Sequence, residues 1–155
     1  MTFQIHALPK AQFESLFDLD DAELAKRGML RVTAESEPGY PCRVSLQDAK
    51  IGEELILLNY QHLEGNTPYA ASHAIYVRKD AQQAHLKPGQ VPQVLSSRLL
   101  SVRGFNQHNL MVEADVVSGQ ELATKLEALF LNADIDVVHV HNAKQGCFAA
   151  KATRQ

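Results

Sequence analysis

Residues Gly119 to Thr153 read GQELATKLEALFLNADIDVVHVHNAKQGCFAAKAT, and two periodicities meet in them. Leu122, Leu126, Leu129 and Phe130 recur at the i, i+4, i+7, i+8 spacing of one apolar helix face, so an amphipathic helix is expected over about 119–131. The period then falls to 2. Ile135 to Asn142 and Cys147 to Thr153 read as two strands, joined by Lys144-Gln145-Gly146. Runs of adjacent strands with helices at either end argue for a largely antiparallel sheet and not for βαβ repeats.

Side chains alternate faces along a strand, which sorts this hairpin. Val138, Val140 and Asn142 share one face; Val137, His139 and His141 share the other. With Lys144 to Gly146 as a three-residue loop and Gly146 left-handed, Ala143 opposes Cys147. Phe148, Ala150 and Ala152 then join the apolar face, and Cys147 and Lys151 join the histidines. A four-residue loop would instead mix Phe148 with the histidines. The three-residue register separates apolar from polar more cleanly, and burial of one face is what fixes register.

Working outward from the hairpin, the chain continues as short elements. Leu99 to Phe105 and Leu110 to Val117 are strand candidates around the connection Asn106-Gln107-His108-Asn109. Lys79 to Gln93 carries Pro88, Gly89 and Pro92 and reads as a loop. Ala74 to Val77 is a further strand. Leu55 to Leu58 is apolar at successive positions, as in a central strand covered on both faces. Leu30 to Ala34 is followed by the turn Pro38-Gly39-Tyr40-Pro41. Phe3, Ile5 and Ala7 alternate as an opening strand, and Phe13, Leu16 and Phe17 behind Pro9 have helical spacing. Asp20 or Asp21 caps a short helix through Leu24, stopped at Gly28. The expected fold class is α+β. It is a single domain over residues 1–155, with an N-terminal helical region and a largely antiparallel sheet whose hairpins let it curl toward a barrel.

Composition excludes several classes. The 155 residues are 45% hydrophobic and 21% charged, the balance of a globular chain. A net charge of -3 with no basic stripe argues against nucleic acid, whose binders neutralise phosphates. No apolar run approaches the ~20 residues that span a bilayer, so no membrane partner is expected. The start lacks a signal-peptide pattern, and 2 cysteines are too few for a disulfide framework. Free thiols in a reducing cytoplasm are expected.

Three groups could carry chemistry. His139, His141 and Cys147 form a soft-metal donor set, because residues two apart on a strand lie ~6.6 Å apart at Cα. A structural zinc site takes four ligands and a catalytic one three plus water, and no complete ligand spacing of a recognised kind is present. A polar sheet face without metal, solvated or covered by the helix's edge, explains the same residues more simply. Cys42, beside Arg43, is a candidate nucleophile, with His62, His73, His139 or His141 as its base. Burial as a small apolar residue explains Cys42 more simply, and Arg43 points the opposite way in an extended chain. Arg98 and Arg103, near Tyr60, Tyr69 and Ser72, could form a pocket for an anion, since guanidinium forks grip carboxylate and phosphate. Ion pairs with Glu53, Glu54, Glu113 or Asp115 would account for the same arginines.

Five segments together resemble a bacterial family catalogued as domain of unknown function 1203. They are Pro38-Gly39-Tyr40-Pro41-Cys42-Arg43, Gly52-Glu53-Glu54-Leu55, Thr67-Pro68-Tyr69, Leu100-Ser101-Val102-Arg103, and His139-Val140-His141-Asn142 with Gly146-Cys147-Phe148. The resemblance runs from about Pro38 to Thr153. An Arg often follows the tyrosine in that family, where this chain has Ala70. The family has no established activity, so the resemblance implies no catalytic residue and no cofactor. Two readings remain open. One is a small-molecule binding protein or enzyme, with Arg103, Tyr69, His139, His141 and a cysteine around the ligand. The other is a non-catalytic interaction module, or a homodimer, that uses its polar sheet face.

Overall fold

The structure, a computed structural model, describes residues 2–155. Its strands form two sheets, mostly antiparallel, and neither closes into a barrel. In chain order they are β1 (Phe3–His6), β2 (Leu30–Thr33), β3 (Glu54–Leu63), β4 (Ala71–Arg78), β5 (Leu99–Phe105), β6 (Met111–Ser118), β7 (Val137–Asn142) and β8 (Phe148–Arg154). The helices are α1 (Asp21–Lys26), α2 (Gln93–Ser96) and α3 (Leu122–Phe130). No helix among the described residues is long and apolar enough to cross a membrane.

The chain divides into two compact units: Met1–His6, Gln61–His73 and His85–Gln155 in the first, Ala7–Tyr60 and Ala74–Ala84 in the second. The first holds the five-stranded antiparallel sheet, ordered β1-β8-β7-β5-β6. Phe3 and Ile5 of β1, Ala150 and Ala152 of β8, Val138 and Val140 of β7, and Leu100 and Val102 of β5 are all buried. Register and alternation put them on one face. Arg154 lies over the Phe130 ring at 5.3 Å and donates to the Phe130 carbonyl, so α3 covers that face. The helix buries Leu122, Leu126, Leu129 and Phe130, the stripe its spacing predicts. Each such side chain contributes about 1.5–3 kcal/mol. Gly104 makes room for Ile135, whose Cδ1 would lie 2.8 Å from a Cβ there.

The second unit shows why some polar sequence is structural. Asp20 caps α1 reciprocally with Glu23, the capping box. Beside it, β2 pairs with β3, and β3 lies between β2 and β4. That central position explains the successive buried residues Leu55 and Ile56. The strands run beyond their apolar cores. Leu55 to Leu58 grows into β3 as far as Leu63, and Ala74 to Val77 into β4 from Ala71. Helical spacing around Phe13 gives 3-10 turns, Lys10–Gln12 and Glu14–Asp18, with Phe13 buried and Leu16 and Phe17 only partly so.

The final hairpin keeps half of its expected register. Val138 faces Ala152, His139 faces Lys151 and Val140 faces Ala150, the odd-with-odd pairing of a three-residue loop. Gly146 is left-handed, at φ 78°. The register then shifts between Val140 and His141, so His141 faces Phe148 and Ala149 is the extra residue. A bulge of this kind reverses parity beyond it. Phe148 therefore stands with the histidines, not opposite them.

Candidate functional site

The face of the five-stranded sheet turned away from α3 carries a cluster of polar groups. Arg103 faces His139 across β5 and β7, Ser101 faces His141, and Lys151 faces His139 from β8. His62, near the end of β3, and His73 of β4 join them. The His62 ring stacks on His73 at 4.9 Å and lies edge-on to His139 at 5.1 Å and to His141 at 4.8 Å. Phe148 stacks on His62 at 5.0 Å with 7° between the planes. It is 2% exposed, a phenyl wall among imidazoles.

The hydrogen bonds of these rings are incomplete. His62 Nδ1 and His139 Nδ1 are 3.0 Å apart, so one donates to the other. His141 Nδ1 lies 3.0 Å from the Gly146 carbonyl oxygen, which only accepts. The Nδ1 of His141 therefore carries the proton, and Nε2 keeps its lone pair. His62 Nε2, His73 Nδ1 and His141 Nε2 are buried with no hydrogen-bond partner. Leaving a buried polar atom unpaired costs about 1–3 kcal/mol. One ring nitrogen from each of His62, His73 and His141 lies within 4.8 Å of the other two.

Burial, seconded by neighbouring positive charge, keeps the rings neutral. It pushes the pKa of His62 to about 3, with the charges of His139, His73 and Arg103 adding to it. His141 is likewise at about 3, from burial and Arg103 against the opposing Gly146 bond, and His139 at about 4, from burial and then Lys151 and Arg103. His73 is lowered by burial and Arg103. A histidine whose folded pKa lies below its unfolded value of ~6.5 is neutral in both states above pH ~7. As pH falls, the unfolded chain takes up protons that the folded chain refuses, so stability is lost. The metal-free protein should hold a constant urea midpoint above pH ~7 and lose stability as pH falls from ~6.5 toward ~3, unfolding with net uptake of protons in that range. A midpoint unchanged between pH 7 and 4 would contradict the neutral cluster.

The other sequence candidates are not among these rings. Tyr69 packs on Phe105 at 6.0 Å, and Phe105 on His139 at 5.2 Å, so Tyr69 is one ring removed. Ser72 is exposed next to His73. Asn142 donates to Cys147 Sγ at 3.6 Å. Asn142 alternates with His141 along β7, which places that sulfur's partner on the helix-covered face. In the second unit, Cys42 is buried, and its sulfur accepts from the amides of Ser45 at 3.4 Å and Arg78 at 3.3 Å. Arg43 is buried too and donates to the Pro41 carbonyl. Arg98 donates to the Val94 carbonyl.

Three of the four acids offered as arginine partners are engaged elsewhere. Glu53 takes Arg78, Glu54 takes Arg31 and Asp115 takes Lys125, each at 2.8 Å. A cavity of about 530 Å³ in the second unit sets Lys10, Arg78 and Lys79 against Glu14, Asp18 and Asp80, so its charges balance. His62 and His73 entered the sequence reading only as bases for Cys42. The one signal for them was that each continues the alternation beyond an apolar strand core.

Comparison with known proteins places the chain without describing its chemistry. No curated protein and no solved structure matches it. The model of the family described as "Protein of unknown function (DUF1203)" matches residues 39–154, a span that takes in His62, His73, Arg103, His139 and His141. By that match over most of its length, the chain belongs to the DUF1203 family.

Proposed function

We propose that this protein binds a divalent transition metal, with zinc as the reference ion, through His62, His73 and His141. The observation that carries the reading is the set of three buried ring nitrogens without partners, on rings that bring one nitrogen each within 4.8 Å. Zinc takes neutral imidazole nitrogen at ~2.0–2.1 Å, and a tetrahedral ion then sets its ligands ~3.4 Å apart. The rings would close in by roughly an ångström on loading. The bond from His141 Nδ1–H to the Gly146 carbonyl is the outer-shell contact that holds a ligating histidine in one tautomer. His139 would serve His62 in the same way, accepting its Nδ1–H and leaving Nε2 for the metal.

Three histidines leave a fourth position open, the pattern of sites that bind or transform a small molecule. This keeps the small-molecule reading and gives it a centre. Among the described residues neither cysteine forms a disulfide, which supports the reducing cytoplasm as the compartment.

Chelator-stripped protein titrated with zinc in a calorimeter should bind one ion per chain, and Cys147→Ala should bind equally well. No heat of binding in the wild type would defeat the proposal. A Cys147→Ala variant that loses zinc would move the site to the sulfur.

A further inference from the structure

We propose that the open position of this metal takes a small molecule bearing a carboxylate or phosphate group, held against the ion by the guanidinium of Arg103. The inference rests on the metal reading above and names the ligand that completes it. Arg103 stands directly across from His139, and cross-strand neighbours carry their Cβ atoms about 4.5–5.5 Å apart. Its Nε donates to Ser101 Oγ at 3.2 Å, and Ser101 in turn faces His141. Among the described residues Arg103 makes no ion pair, although it is only partly exposed. A guanidinium in that position without a carboxylate leaves its forked donors to an incoming acid.

Among the described residues, the strand positions beside Arg103 and His139 on this face supply no compensating charge. Ala114 and Val116 of β6 lie opposite Arg103 and Ser101, while Lys151 faces His139 from the other side. Two cations flank neutral imidazoles, and a divalent ion held by those rings would add two further positive charges. An anion shared between metal and guanidinium neutralises this arrangement. One of its oxygens would replace water on the metal, and another would accept from Arg103, a charge-assisted pairing that neutral molecules do not offer.

The test uses zinc-loaded protein with zinc content verified at one per chain, titrated with inorganic phosphate and separately with acetate. Wild type should bind at least one of them, and phosphate or acetate as the tighter ligand tells which acid class fits. Arg103→Gln should weaken that affinity about 10–100-fold, as expected for removing a charge-assisted hydrogen bond. Arg103→Lys, which keeps the charge and loses the fork, should fall between. Equal anion affinity in wild type, Arg103→Gln and Arg103→Lys would overturn the inference while leaving the metal site standing. So would anion binding of the same strength in metal-free protein. Failure of the wild type to take up zinc would overturn the metal reading itself.

Discussion

Replacing Phe148 with alanine should lower the free energy of unfolding by about 3–5 kcal/mol, the range for truncating a buried aromatic side chain. The ring is 2% exposed and fills the space among His62, His139 and His141, at 5.0, 5.3 and 5.9 Å between centroids. Those neighbours stand on β3 and β7, so the cavity left behind has little freedom to collapse. Edge-on aromatic contacts add to plain burial, and Phe148 makes two of them. Denaturant unfolding checks the figure. A loss under about 1 kcal/mol would mean that Phe148 is not a wall of the cluster.

The second large effect is chemical. His141→Ala should weaken zinc affinity by more than about 100-fold, beyond the 10–100-fold range for losing an outer-shell partner. His141 is fully buried, and its Nε2 lone pair is fixed by the bond at Nδ1. The control is His6→Ala. His6 lies on the same sheet face but is bonded to Thr153 at 2.8 Å, outside the ring group, and its loss should leave zinc binding intact. Competition with a chromogenic chelator reads both variants. Equal losses in the two would show that the effect comes from the sheet and not from a ligand.

Much of the fold was legible because periodicity is a local property. The stripe Leu122, Leu126, Leu129, Phe130 announces α3, and the alternation in Ile135 to Asn142 announces β7, without reference to any other part of the chain. Phe148 shows where such reasoning stops. Parity along the hairpin is right as far as Val140, and one inserted residue, Ala149, inverts it. The expectation that a phenyl ring avoids imidazoles assumed rings in search of water. Here burial keeps them neutral, and a neutral imidazole is an ordinary aromatic neighbour.

The candidate site was half legible for a related reason. His139 and His141 declare themselves by spacing on one strand. His62 and His73 reach them from strands tens of residues away, and pairing of that kind has no local signature. Arg103 was visible as a cation near a strand. Its lack of an acid became visible only once Glu53, Glu54 and Asp115 were seen holding Arg78, Arg31 and Lys125.

The central claim is that three imidazoles, and no sulfur, hold the metal. X-ray absorption at the zinc edge of the loaded protein measures that directly. The account predicts a first shell of nitrogen and oxygen alone at ~2.0–2.1 Å, with the outer scattering of about three imidazole rings. A sulfur shell at ~2.3 Å, which would bring in Cys147 or Cys42, would contradict it.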